Sequence, residues 1–267
     1  MSDAVAVLTQ ELDELQARLA DGDDASVRLH AIDSLREAVG ATDIVASVQA
    51  IAGDDEELRQ ALADVVGTLA RSLGPDDEPP STPGVAGAWS VLVEIADRLY
   101  GSGVAPMGRL PFISDRLLEL MLAEARSQLP EQPPEGSRVV APAGRALASV
   151  AVSRKLQRAI GMALGTEVVP GYQALYAYDP PVSHVRTHVD SRGYELIFHM
   201  VLEHELPSDG SPGSALVVHL PGTDAPRYIR VLPGEGVALC GRGTIHSWQP
   251  LREGERRTLI DVAWVRA

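Results

Sequence analysis

The sequence holds a single cysteine, Cys240, in 267 residues. That excludes an internal disulfide framework and any metal site built on several thiolates. Lysine is nearly missing as well: Lys155 stands alone beside abundant arginine, a bias of coding composition rather than of function. No apolar run approaches the ~18 residues that a transmembrane helix needs. The first residues, MSDAVAVLTQELDELQ, are acidic and amphipathic, unlike a secretory signal. Together these absences predict a soluble, cytoplasmic protein. Aromatics are scarce at 4%, yet 45% hydrophobic residues suffice for a full core and exclude a disordered chain.

Charge divides the chain. Residues 1–80 carry eighteen Asp/Glu against five Arg, a net of −13, whereas residues 81–267 are nearly balanced at −1. An acidic first third argues against electrostatic binding to nucleic acid or an anionic membrane. In that segment Val5, Leu8, Leu12, Leu15 and Leu19 form one apolar helix stripe, with Ser2 or Asp3 as its cap. DDASVRLHAIDSLREAVG from Asp23 resembles DDEELRQALADVVGTLAR from Asp54, where Asp54 and Glu57 have capping-box spacing. Two readings fit: a HEAT-type helical repeat, or two ordinary amphipathic helices with similar starts. Either way a helical domain is expected over 1–73, a Pro/Gly-rich linker over 74–88 and a second domain over 89–267.

The second domain opens with amphipathic helices over Trp89–Tyr100, Ser114–Gln128 and Ala146–Leu164, the last ended by Gly165. The period then changes. YQALYAY, VRTHVD, YELIFHMVLEH, SALVVHLP, RYIRVLP, GVALC and RRTLIDVAWV read as short strands separated by turn residues. An α+β fold follows, with an N-terminal helical bundle ahead of an antiparallel barrel or jelly roll.

Six of the seven histidines lie in this β region. His188 and Asp190, two apart, point to one side of a strand and can grip one metal ion. His246, in GTIHSWQP, is placed to supply a third ligand from a neighbouring strand. Two histidines and one carboxylate on one face of a metal are the facial triad of non-haem Fe(II) oxygenases. Arg256 lies ten positions past His246, with Thr258 on the same strand face. A fixed guanidinium binds a carboxylate bidentately, and a hydroxyl can add a third hydrogen bond. Strand parity points Arg257, the rival for that role, away.

These elements resemble the Fe(II)/2-oxoglutarate-dependent dioxygenase superfamily, near its prolyl 4-hydroxylase-like branch. The shared pattern is H-x-D, roughly fifty residues, H, then about ten residues and a basic residue: here His188-Val189-Asp190, His246 and Arg256. Pro250 and Gly254 also match the H-x3-P-x3-G-x-R tail of that branch. The resemblance covers roughly residues 140–267.

It implies a double-stranded β-helix, Fe(II) held by His188, Asp190 and His246, and 2-oxoglutarate and O2 as co-substrates. Arg256 and Thr258 would hold the far carboxylate of 2-oxoglutarate. Tyr176 or Tyr178 would hydrogen-bond 2-oxoglutarate or substrate, or else pack in the core. Asp190 fills the position where related halogenases leave room for chloride, so hydroxylation or desaturation is expected.

Arg186, Arg192, Tyr194 and Trp248 flank the ligands and are candidate substrate contacts. His184 shares strand parity with His188 and could line the pocket, or take a surface or ligand-supporting position. His199, His204 and His219 read as packed or exposed, and Cys240 as a buried small hydrophobe. The substrate class is a free amino acid, a peptide or carrier-bound residue, or a secondary metabolite. Residues 1–73 are a candidate docking surface for a protein partner or protein-bound substrate, or pack on the barrel. Two competitors stand beside this reading: a cupin-like metalloenzyme that does not use 2-oxoglutarate, and a non-catalytic binding module.

Overall fold

The computed structural model describes residues 2–19, 25–74, 82–135, 137–180, 183–191, 193–223 and 225–266. Among them are eight α-helices and eleven strands, all paired antiparallel. Five helices come first: α1 (Ser2–Leu19), α2 (Ala25–Val39), α3 (Ile44–Ala52), α4 (Glu56–Leu73) and α5 (Pro83–Tyr100). The α1 stripe is buried at Leu8, Leu12 and Leu15, against Ile32 and Leu35 of α2 and Leu62, Val66 and Leu69 of α4. Each such side chain removed from water contributes roughly 1.5–3 kcal/mol.

Three local expectations change. Asp55, not Asp54, caps α4, accepting from the Leu58 amide at 3.0 Å. Asp23 and Asp24, the start of the first repeat copy, lie outside the described residues, and α3 stands between the two aligned helices with Asp43 as its cap. The third concerns the expected linker. Helix α5 begins inside it, because Thr82 caps the helix and Pro83 sits at a first-turn position where its missing N–H costs nothing. Gly84 and Gly87 let α5 lie close on α1; a Cβ on Gly87 would stand 3.0 Å from that of Ala4. Helix α5 shares the core of α1–α4, so its residues 89–100 belong with the helical layer.

The β region has two sheets. The larger has the order β1-β9-β6-β11-β4-β3-β2, with β1 (Val104–Gly108), β9 (Gly236–Leu239), β6 (Leu196–Glu205), β11 (Arg256–Arg266), β4 (Val168–Asp179), β3 (Arg138–Pro142) and β2 (Pro134–Glu135). The smaller is β5-β10-β7-β8, with β5 (Val185–His188), β10 (Ile245–Trp248), β7 (Leu216–His219) and β8 (Arg227–Ile229). Between the sheets, Ala177, Ile197, Val201 and Leu259 of the large one meet Leu216, Val218, Ile229 and Trp248 of the small one.

The outer face of the large sheet carries Tyr176, Phe198, Met200, Ile260, Val262 and Trp264. It is covered by α6 (Asp115–Gln128), α7 (Arg145–Ala151) and α8 (Arg154–Leu164). The helix expected over 146–164 is two helices, because Ser153 caps α8. Gly165 ends α8 in the left-handed region, as its position in the sequence suggests. The helical layer α1–α5 packs on the β region through Val189 and Ile245, which complete its core. No described helix is long and apolar enough to cross a membrane.

Candidate metal centre

His188 ends β5, and His246 lies directly opposite it on β10. Antiparallel partners project to the same side, so the two rings meet inside the barrel at a centroid separation of 4.4 Å. Asp190 stands just beyond the strand end, its amide donating to the Gly241 carbonyl at 2.9 Å. The His188 Nε2 lies 3.4 Å from Asp190 Oδ1, and the His246 Nε2 lies 3.8 Å from Asp190 Oδ2. One donor atom from each residue falls within 4.8 Å of the other two.

The hydrogen bonds around these groups suit a cation. His188 Nδ1 donates to the Arg186 carbonyl at 2.7 Å, and His246 Nδ1 to the Thr244 carbonyl at 2.8 Å. Both tautomers are thereby set, and both Nε2 lone pairs face the cluster. Asp190 Oδ2 is buried with no hydrogen-bond partner. Burial, together with neighbouring His188, lowers the His246 pKa to about 4. Burial pushes Asp190 the other way, but the attraction of His246 and His188 outweighs it and holds the carboxyl at about 2. At neutral pH the cluster therefore offers a neutral His246 imidazole and a carboxylate, the forms that bind metal.

A second polar cluster lines the same interior. Asp261 and His199 are cross-strand partners on β11 and β6, and His199 Nδ1 donates to the Asp261 carboxylate. Arg138 on β3 donates to Asp179 at 2.7 Å and to Asp261 at 3.4 Å. Arg257 donates twice to Asp179, at 3.0 and 2.6 Å, and its guanidinium lies 3.9 Å above the Trp248 ring. Burial raises the pKa of both aspartates, yet both stay below the usual carboxylate range: Arg138 and Arg257 hold Asp179 down, His199 and Arg138 hold Asp261 down. Left without partners in this buried space are Arg138 Nη2, Arg257 Nη1, His199 Nε2 and Trp248 Nε1. His199 is 6.5 Å from His246 and 5.9 Å from Trp248, ring to ring, so the two clusters adjoin.

Several expected site residues lie elsewhere. Arg256 points outward and pairs with Glu205, each side chain about half exposed at 48% and 49%. Arg257, expected to point away, is the inward one, 2% exposed. The cause is Glu255. Its buried carboxylate accepts from the Ser214 amide and hydroxyl at 2.6 and 2.7 Å, from the Arg252 amide at 3.0 Å and from His204 at 2.7 Å. With Glu255 anchored inside, alternation sends Arg256 out and Arg257 in.

The same parity puts Thr258 on the outer face, opposite Tyr178 and Glu203. Tyr176 is on that face too, its hydroxyl donating to Glu124 of α6 at 2.6 Å. Burial and Glu124 both push that phenol's pKa up. None of Arg256, Thr258 and Tyr176 reaches the barrel interior.

Among the candidate substrate contacts, Trp248 is inside. Tyr194 packs beside the interior cluster, close enough to Asp261 and Asp190 for their charges to raise its pKa, after burial. Arg186 is exposed and serves the site through its carbonyl. Arg192 lies outside the described residues. His219 is on the outside of the small sheet, where its Nδ1 accepts from the Trp89 indole at 3.2 Å. His199 reads from the sequence only as packed or exposed and Asp261 carries no expectation, although each is a polar residue inside an apolar strand run. Such residues are buried only with a partner.

No protein-family model and no curated protein sequence matches the chain. Solved structures are similar to it. A Pseudomonas putida prolyl-4-hydroxylase has a TM-score of 0.48 and 18% identity, over 66% of this chain and 98% of that one. An oxidoreductase of the 2OG-Fe(II) oxygenase family from Burkholderia pseudomallei has 0.45 and 17%, over 67% and 90%. HygX from Streptomyces hygroscopicus, solved with nickel, 2-oxoglutarate and hygromycin B, has 0.46 and 13%, over 62% and 82%.

Proposed function

We propose that the chain is a non-haem Fe(II)- and 2-oxoglutarate-dependent dioxygenase. Its reaction is hydroxylation of an unactivated C–H bond in an amino acid, a peptidyl or carrier-bound residue, or a secondary metabolite. The observation that carries this reading is the convergence of His188, Asp190 and His246 within 4.8 Å inside the barrel. Two imidazoles and one carboxylate are the donor set that leaves a ferrous ion room for a chelating co-substrate and O2. Bound there, iron with 2-oxoglutarate supplies the oxidation of C–H by O2, with succinate and CO2 as co-products.

The chain's own groups then have distinct tasks. Arg257, rather than Arg256, takes the far carboxylate of 2-oxoglutarate through its unpartnered Nη1, with Arg138 Nη2 as a second donor. Stacking on Trp248 and the two bonds to Asp179 hold that guanidinium in one orientation. His199 leaves its Nε2 without a partner beside His246 and Trp248, free for a ligand in this space. Tyr194, close to Asp190 and Asp261, is a candidate substrate contact.

One observation favours a second reading, a cupin-like metalloenzyme that does not use 2-oxoglutarate. Asp179 already neutralises Arg257, which weakens its pull on a further anion. The separating experiment incubates the protein with Fe(II), ascorbate, 2-oxoglutarate and candidate substrates. Succinate is measured against a product one oxygen atom heavier. Succinate formed in step with that product supports the proposal. Product formed without 2-oxoglutarate supports the cupin-like reading. Failure to bind Fe(II) sinks both.

A further inference from the structure

The residues that neighbour the metal ligands in sequence are buried in the helical layer. Val189, between His188 and Asp190, belongs to the core of α1–α5, and so does Ile245, directly before His246. The fit at Val189 is close: a Cβ on Gly67 of α4 would stand 2.8 Å from Val189 Cγ2. These apolar anchors point one way into the helices while the ligands point the other way into the barrel.

One loop, residues 240–244, joins both sides. Arg242 is 1% exposed. Its Nη1 donates to Asp64 of α4 at 2.6 Å and to the main-chain carbonyl of Asp190 at 2.9 Å. Its Nη2 donates to the Gln60 carbonyl on α4 at 2.9 Å, and its guanidinium lies 5.0 Å above the Tyr100 ring of α5. The preceding residue, Gly241, accepts from the Asp190 amide at 2.9 Å. Only a glycine fits there, since a Cβ would fall 2.1 Å from Asp190 Oδ2. Thr244 accepts from His246 Nδ1 through its carbonyl, and from the Gly103 amide through its hydroxyl at 3.0 Å. Both main-chain groups of Asp190, and the ring of His246, are thus set by a loop pinned to α4 and to the end of α5.

We propose that the helical layer positions the metal ligands, with Arg242 as the positioning residue that transmits α4 packing to Asp190. This rests on reading His188, Asp190 and His246 as ligands. Metal affinity and the docking of α4 are then linked, and the linkage is reciprocal: a metal ion tightens the helices, and a loosened helix weakens the metal. A helical layer coupled in this way is not a detachable docking module.

The test uses the full chain, metal-free, with Co(II) as probe. Wild type, Arg242→Met, Arg242→Lys and Asp64→Asn are compared by Co(II) titration and by thermal unfolding without metal. The expectation is a Co(II) affinity at least tenfold weaker in Arg242→Met, partly rescued in Arg242→Lys and weakened several-fold in Asp64→Asn. A lower unfolding temperature with unchanged Co(II) affinity means a merely structural role and overturns the proposal. A second readout needs only wild type: Co(II) must slow amide exchange in α4, which supplies none of the metal ligands. Unchanged exchange in α4 with Co(II) bound also overturns it. A wild-type protein that binds no Co(II) overturns the ligand assignment itself, a result distinct from either.

Discussion

At the β5–β10 edge of the barrel, three acceptors converge, and no described side-chain cation is bonded to them. Across the interior, beside β3, β4 and β11, two carboxylates and two guanidiniums satisfy one another. The first cluster is acceptor-rich, with a buried carboxylate oxygen unpaired. The second is neutral within itself and leaves one buried nitrogen unused on each arginine. Burying a polar group without a partner costs free energy, so the first arrangement calls for a cation from outside. The second can orient an anion but attracts it weakly. On this comparison the ligand end decides whether anything binds, and the arginine end decides which way round it lies.

The largest effect expected is at the ligand end. Asp190→Ala and His246→Ala should each weaken metal binding by more than about 100-fold, exceeding the usual cost of losing a group that merely supports a ligand. Coupled succinate formation should vanish while the far-ultraviolet circular dichroism stays native. An Asp190→Ala protein with near-wild-type Co(II) affinity would erase the contrast between the two clusters.

Next comes the arginine end. Arg257→Ala leaves the buried Asp179 with Arg138 alone, so denaturant unfolding should show a loss of about 3 kcal/mol, the scale of a broken buried ion pair. The 2-oxoglutarate concentration needed for half-maximal turnover should rise with it. Arg256→Ala breaks only a half-exposed pair with Glu205, so its effect should stay within about 0.5 kcal/mol with no change in 2-oxoglutarate dependence. The opposite ranking of the two arginines would mean that β11 has the other parity.

Acid sharpens the comparison differently. His219 is half-buried and His246 buried, neither beside a charge strong enough to keep its pKa up, and burial lowers each from 6.5 to about 4. Below 6.5 the unfolded chain binds a proton that the native His219 refuses. Stability therefore falls as pH drops from about 6.5 to about 4, by roughly 2–3 kcal/mol for each of the two histidines, and their contribution levels off beneath that. Asp179 and Asp261 act in the same direction, but at lower pH. Their depressed pKa values contribute stability that is present above about pH 4 and lost only as pH falls further. Urea unfolding across pH 7 to 4 checks this. His219→Asn, which keeps an acceptor for the Trp89 indole, should roughly halve the slope between pH 6.5 and 4, where His246 keeps its own share, and an equal slope in that variant would refute the assignment.

What the sequence made legible follows the range of the forces involved. The ligand pattern is carried by near neighbours, His188-x-Asp190, and by one histidine in a run of β-forming residues. The strand pattern after Gly165 is likewise local. Parity on β11 is not local: it depends on Glu255 being drawn inside by Ser214, some forty residues away. Spacing from His246 alone does not show this and puts Arg256 and Thr258 one residue out of phase, whereas Tyr176 takes the core-packing alternative of its reading. Pro83 and its glycines read as breakers and shorten α5 in the sequence, whereas a capped first turn accepts proline and close packing on α1 uses glycine. The pairs Arg138–Asp179 and His199–Asp261 join strands far apart in the chain, and only their burial marks them.

The smallest expected effect tests the phase of β4 and β11 directly. Tyr176 donates to Glu124 on the helix side of the large sheet. Glu124 also accepts from the Ala146 amide at 2.9 Å, so the carboxylate keeps a partner when the phenol oxygen is removed. Tyr176→Phe should therefore cost about 1 kcal/mol, the ordinary net value of one hydrogen bond, seen as a small drop in denaturant midpoint. The ring stays packed among Phe198, Ile260 and the α6–α7 side chains, so no cavity term adds to this. The dependence of turnover on 2-oxoglutarate should be that of wild type, because a sheet separates this hydroxyl from the metal ligands. A several-fold rise in the 2-oxoglutarate requirement, with stability unchanged, would return Tyr176 to the interior and undo the register that also separates Arg256 from Arg257.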